Sequence, residues 1–121
     1  MPVTRFGDLP LADRSRRWDG AAAEKRVRKW AGAEDGPNAK YRRAHLWYEA
    51  GKEDKFTGYK LLIADVVNRE LKAVPRGIIA AAGIVDGARG GLNVPDADRP
   101  TLRRHLGRYY DKMGEQPPWT K

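Results

Sequence analysis

The sequence predicts a single small α+β domain: an N-terminal helix, a short antiparallel sheet or hairpin, an apolar core helix and a C-terminal amphipathic basic helix. Three observations lead there. The chain has 121 residues, the size of one ordinary domain of about 100–150 residues. Apolar residues recur at helical spacing near both ends, as Ala23, Val27, Trp30 and as Leu102, Leu106, Tyr109, Met113. Between them lie short runs rich in aromatic and β-branched residues, the composition of strands. No internal repeat interrupts the pattern. One domain over residues 18–114 is therefore expected, preceded by an irregular segment at 1–17 and followed by a tail at 115–121.

Each element has a local reason. Pro2, Gly7 and Pro10 punctuate the first segment and leave it no helical period. Asp19 is a helix N-cap for a first helix over about residues 20–31, with Lys25, Arg28 and Lys29 opposite its apolar stripe. Gly32 ends it, and Trp18 and Trp30 bracket it in position to dock it onto the domain. Asn38 caps a short helix or turn over residues 39–43. His45, Leu46, Trp47 and Tyr48 read as one strand, and residues 56–63 as another. Val66 and Val67, a turn at residues 68–70, and residues 71–74 read as a hairpin, with Lys60 and Lys72 outward and Leu71 and Ala73 inward. Pro75 opens a helix running to about Asp86, and its stretch from Ile78 to Val85 is apolar nearly all round, the mark of a buried core helix. Asp96 or Asp98 caps the last helix, over residues 99–113, with Pro100 in its first turn and Gly114 as its stop.

Composition excludes several function classes. Hydrophobic residues make up 40% and charged residues 33%, with a mean hydropathy of −0.75. The longest apolar stretch, residues 77–85, is about half of the ~20 residues that a membrane-spanning helix needs. Four Trp and five Tyr supply more mass to bury than disordered chains carry. The chain has no Cys, which excludes disulfides, thiolate metal sites and a thiol nucleophile, and suits a reducing compartment. The N-terminus lacks the apolar core of a signal peptide. Lys and Arg number 24 against 16 Asp and Glu, a net charge of +8. Such a balance draws a chain to polyanions, with nucleic acid the commonest; it also arises from Arg-rich composition that merely keeps a fold solvated.

Residues able to do covalent chemistry are sparse. His45 and His105 stand in different elements, with no carboxylate at metal-ligand spacing. Ser15 is the only serine, and it lies in neither a Gly-x-Ser-x-Gly nor a Ser-x-x-Lys context. Glu34–Asp35 and Glu53–Asp54 are paired carboxylates in polar connections, where solvation accounts for them. Asp65 alone is embedded among apolar strand residues, either as a metal ligand of a nuclease or as an acceptor for backbone donors. No catalytic residue, metal or cofactor is expected.

Binding residues are easier to nominate. The stripe Arg104, Arg108 and Lys112, with Arg103 beside it, and the trio Lys25, Arg28 and Lys29 suit a phosphate backbone, or form ordinary solvated helix faces. The glycine-rich run at residues 87–91 suits an anion-binding nest with Arg89 as its fixed charge, or a helix C-cap followed by a turn. Trp47, Tyr48, Phe56 and Tyr59, with Trp119 in the tail, are candidate protein-contact aromatics; core packing is the other reading.

A wider pattern joins these pieces. It runs from Leu9-Pro10-Leu11-Ala12-Asp13 through Trp18-Asp19 with Ala23, Arg26 and Trp30-Ala31, to Tyr41-Arg42-Arg43-Ala44-His45-Leu46-Trp47-Tyr48. It continues in Tyr59-Lys60-Leu61, Ile63-Ala64-Asp65-Val66-Val67 and Leu71-Lys72-Ala73-Val74-Pro75-Arg76-Gly77. It closes with Gly87-Ala88-Arg89-Gly90-Gly91, Pro95 with Asp98, His105-Leu106, Tyr109-Tyr110 and Pro117-Pro118. In this order the pieces resemble a small domain of tailed-phage head gene clusters, which occurs C-terminal to HK97-type prohead proteases or as a separate protein. The resemblance covers nearly the whole chain. It implies a phage or prophage protein of the host cytoplasm or virion, acting in head assembly on head, scaffold or protease proteins. It implies no protease activity, because the catalytic part of those proteases is a separate domain. The alternative expectation is sequence-independent binding of DNA or RNA by the basic helix faces. Neither reading calls for a membrane or a small-molecule substrate.

Overall fold

The computed structural model describes residues 3–87 and 94–120. They form an α+β domain of four helices and two antiparallel two-stranded ladders. Helix α1 spans Gly20–Trp30, and the Asp19 carboxylate caps it by accepting from Ala22 N–H at 3.1 Å. Helix α2, Ala39–Arg42, is capped in the same way by Asn38. Strands β1 (His45–Tyr48) and β2 (Tyr59–Leu62) pair with Trp47 opposite Lys60. Strands β3 (Ala64–Val67) and β4 (Glu70–Ala73) make the hairpin. Helices α3 (Pro75–Val85) and α4 (Arg99–Met113) follow.

The core lies between these layers. Helix α1 packs on β3, and α4 packs on α3 and β1. Leu102, Leu106, Tyr109 and Met113 are buried along one stripe of α4, as the periodicity predicts. A fully buried Leu contributes about 1.5–3 kcal/mol relative to an exposed one, so this stripe anchors the helix. Residues 3–17 have no regular structure of their own, yet they are held to the domain. Val3 bridges to Trp47 and Leu11 to Ala73, while Leu9 N–H donates to the Tyr109 hydroxyl. Leu9 and Ala12 are buried.

Four local expectations are corrected. Residues 56–58 form a 3-10 turn rather than the start of a strand, because Gly58 N–H bonds to the Lys55 carbonyl. A Cβ at Gly58 would lie 2.7 Å from Lys52 Cβ, so the approach of the preceding loop sets this turn. The hairpin turn is two residues, Asn68 and Arg69, both at positive φ, and Glu70 already pairs with Val67. That backbone is the type I′ geometry that matches strand twist. Helix α3 is not buried all round, since Ile79 is 47% exposed and Ala80 is exposed beside it. Asp98 precedes α4 without capping it; its carboxylate accepts from the Trp47 indole N–H at 3.0 Å.

Candidate binding cleft

An open cleft of about 1140 Å³ lies between α1, β2 and α3. Sequence spacing explains the α3 wall. Gly77, Ala80, Ala81 and Ile84 recur at helical intervals and line the cleft, while Ile78, Ala82 and Val85 turn to the core. Small residues keep this wall low. At Gly77 a Cβ would come within 3.0 Å of the Trp18 ring, so glycine lets the indole lie against the first turn of α3. Leu62 of β2 joins Ile84 and Trp18 in an apolar floor.

The rim is cationic. Arg17, Lys25, Arg28 and Lys60 line the cleft with only Asp19 and Glu24 as carboxylates. Those two acids are already engaged. Asp19 caps α1. Glu24 Oε2 accepts from Arg28 Nη2 at 2.7 Å and from the Tyr41 hydroxyl at 2.8 Å. Burial, then this bond to Glu24, pushes the Tyr41 phenol upward, so it stays a neutral donor. Arg28 also lies 3.6 Å above the Phe56 ring. Arg17, Lys25 and Lys60 are exposed and have no carboxylate within 4 Å among the described residues.

Other predicted residues fall elsewhere. Lys29 is exposed on α1 outside the cleft. On α4, Arg103 lies 5.9 Å from the Trp119 ring, Arg104 donates to Thr101 Oγ1, and Arg108 lies 3.9 Å over Phe6. Lys112 donates to the Leu9 carbonyl at 2.7 Å and to Asp8 at 3.1 Å. No α4 residue lines the cleft, so it takes in Lys25 and Arg28 of the first basic set and nothing of the α4 stripe. Arg89 lies outside the described residues.

The aromatic set is corrected in part. Trp47 and Tyr59 are 5% and 6% exposed and belong to the core, so neither offers a contact surface. Their polar atoms are bonded within the chain, Trp47 donating its indole N–H to Asp98 at 3.0 Å and Tyr59 its hydroxyl proton to the Glu53 carbonyl at 2.8 Å. Tyr48 is half-buried beneath Arg42, 4.8 Å from its guanidinium. Phe56 and Trp119 are half-buried against Arg28 and Arg103. Arg42, Arg28 and Arg103 thus lie over the Tyr48, Phe56 and Trp119 rings, the members of this set that remain near the surface.

Asp65 and His45 are committed to structure. Asp65 is buried and accepts from Arg26 at 2.8 and 2.7 Å, from Arg16 at 3.0 Å and from Val66 N–H at 2.7 Å. His45 donates from Nδ1 to the Tyr41 carbonyl at 3.1 Å, and burial lowers its pKa to about 4. His105 is also shifted down, by burial and then by Arg104 and Arg108, and its Nδ1 is buried without a partner. Among the described residues no group of three or more His, Cys, Asp or Glu is placed to hold a metal ion, and no helix is long and apolar enough to cross a membrane.

Comparison of the chain with protein-family models, with curated proteins and with solved structures gives no match.

Sequence reasoning did not single out Arg17, Trp18, Leu62 or the Gly77–Ala80–Ala81–Ile84 face as parts of one site. A signal for the last existed: these positions repeat at i, i+3, i+4 and i+7, a face that overlaps the buried side of the same helix at Gly77 and Ala81.

Proposed function

We propose that this protein is a non-catalytic binding module that docks another protein in its α1–β2–α3 cleft. The single observation behind this is the open cleft with an apolar floor and three rim cations that have no carboxylate within 4 Å among the described residues. Apolar surface of this kind gains free energy when a partner covers it, and one-signed charge selects and orients that partner. The chemical candidates support the same reading, because Asp65 is spent on two arginines and His45 on a backbone carbonyl. The resemblance to the phage head-cluster domain supports head, scaffold or protease proteins as the partner class, in the host cytoplasm or virion. The test is capture of purified head proteins by the intact chain. Saturable binding of one of them supports the proposal, and failure of every head, scaffold and protease protein to bind overturns it.

A second reading has its own observation. Arg103, Arg104 and Arg108 are exposed along α4 with no carboxylate within 4 Å among the described residues. A phosphate backbone would fit such a face without base recognition. DNA or RNA affinity would then fall steeply with salt, and R104E with R108E would weaken it. Affinity insensitive to both removes this reading.

A further inference from the structure

Resting on the protein-docking proposal, we infer that the occupant of the cleft is an acidic polypeptide segment with aliphatic anchors, held by Arg17, Lys25 and Lys60 at its carboxylates.

Charge complementarity comes first. The rim carries four cations, and both carboxylates that line the cleft are bound within this chain, to the α1 N-terminus and to Arg28 with Tyr41. The three remaining cations come from three segments: Arg17 before α1, Lys25 on its outer face and Lys60 on β2. They are exposed and have no carboxylate within 4 Å among the described residues, so an incoming acid displaces no ion pair there. Exposed pairs are individually weak, but several of one sign around a shared site raise the association rate and bias partner choice.

The floor decides between classes of polyanion. Single-stranded nucleic acid held without sequence preference stacks its bases on open aromatic faces. Here Leu62, Ala80 and Ile84 offer aliphatic surface, the Trp18 ring in the floor lies against Gly77, and the nearby Phe56 face is covered by Arg28 at 3.6 Å. Aliphatic surface gives a phosphate chain nothing, whereas it buries leucine, isoleucine or valine side chains of a protein segment. Ala80, small and exposed on α3, also lets another backbone come close.

The test uses the intact protein and two synthetic peptides with identical leucine spacing, one filled with Glu and the other with Lys. Binding is read by fluorescence anisotropy, and position by amide chemical shifts. The Glu peptide should bind, shift resonances of Lys25, Lys60, Ala80 and Ile84, and weaken with salt; the Lys peptide should not bind. Reversal of two rim charges in K25E/K60E should weaken the Glu peptide about tenfold, the order expected for two exposed pairs turned repulsive. A80W should block it by filling the floor, and Ala80 is exposed, so the helix tolerates the change. K29E is the control, one turn from Lys25 with the same charge change but outside the cleft. Equal losses in K25E and K29E, unchanged binding in A80W, or displacement of the peptide by a single-stranded oligonucleotide of the same charge would each overturn the inference. So would absence of binding by the Glu peptide. None of these results touches head-protein capture by another surface, and loss of that capture with peptide binding intact would sink only the assembly role.

Discussion

Asp65→Asn is the most informative single change in this fold. The Asp65 side chain is 3% exposed and accepts from Arg26 on α1 and Arg16 in the N-terminal segment. It therefore ties β3 to two other parts of the chain. Asn keeps the shape and an acceptor for Val66 N–H but removes the charge. Breaking a buried pair costs about 3–5 kcal/mol when the other charge is stranded. Here the arginines are 48% and 32% exposed and rehydrate, which brings the expected loss to about 2–3 kcal/mol. For 121 residues at about 2.1 cal/mol/K per residue, that is a drop in Tm of about 8–12 °C. The pH dependence fixes the cause. Burial alone would raise the Asp65 carboxyl, but the bonds from Arg26, Arg16 and Val66 outweigh it and hold the group below the usual carboxylate range. A depressed acid stabilises the fold above its unfolded pKa of about 3.9 and loses that contribution as pH falls through the folded value. Thermal unfolding followed by far-UV circular dichroism should thus show a gap between wild type and variant at pH 7 that closes in strong acid. A Tm unchanged at pH 7 would refute the reasoning, and a nuclease activity lost in Asp65→Asn with the fold intact would give this carboxylate a chemical role instead.

Three other changes test the packing. His45 has a folded pKa of about 4 against 6.5 unfolded, so the unfolded chain binds its proton first; stability should fall by up to about 3 kcal/mol as pH drops through that window, and denaturant titrations of H45Q should show a shallower decline. Gly58→Ala places a Cβ 2.7 Å from both Lys52 Cβ and the Lys52 carbonyl oxygen, a backbone contact that cannot yield cheaply; a loss of about 1–3 kcal/mol in urea unfolding is expected. Gly77→Ala sets a helix-propensity gain of about 1 kcal/mol against a 3.0 Å approach to a half-buried Trp18 that has room to shift, so calorimetry should find it near neutral, whereas Gly77→Leu should be clearly destabilising.

The fold was legible wherever local chemistry and tertiary context agreed. Asp19, Asn38, Pro75 and Gly114 mark helix ends because capping and φ preference act within a few residues. The α4 stripe was legible because its period is long and unbroken. Residues 56–58 were not, since aromatic and β-branched composition says strand, while the loop carrying Lys52 closes over Gly58 and imposes a turn. Asp98 misled for a related reason: its sequence position suits a cap, but the indole of Trp47, fifty-one residues away, takes its carboxylate.

The cleft tests a different limit. Lys25 and Arg28 were visible as a basic helix face, but their environments diverge in a way that spacing does not reveal. Glu24 is four residues from Arg28, and the pair closes at 2.7 Å with Tyr41 added from α2. Lys25, one residue further along, is turned away from that acid and left unpaired. Net charge therefore overstates what α1 offers a partner, and the useful cations come from three separate segments that only the folded chain assembles. The same holds for the floor, where Leu62 and Ile84 are far apart in sequence and meet because α3 packs against β2. A site built from long-range juxtaposition leaves short-range traces of only one kind, a second helical face. In α3 that trace is the Gly77–Ala80–Ala81–Ile84 repeat beside the core repeat; Trp18 and the core already cover Gly77 and Ala81, and Ala80 with Ile84 is the part left for a partner.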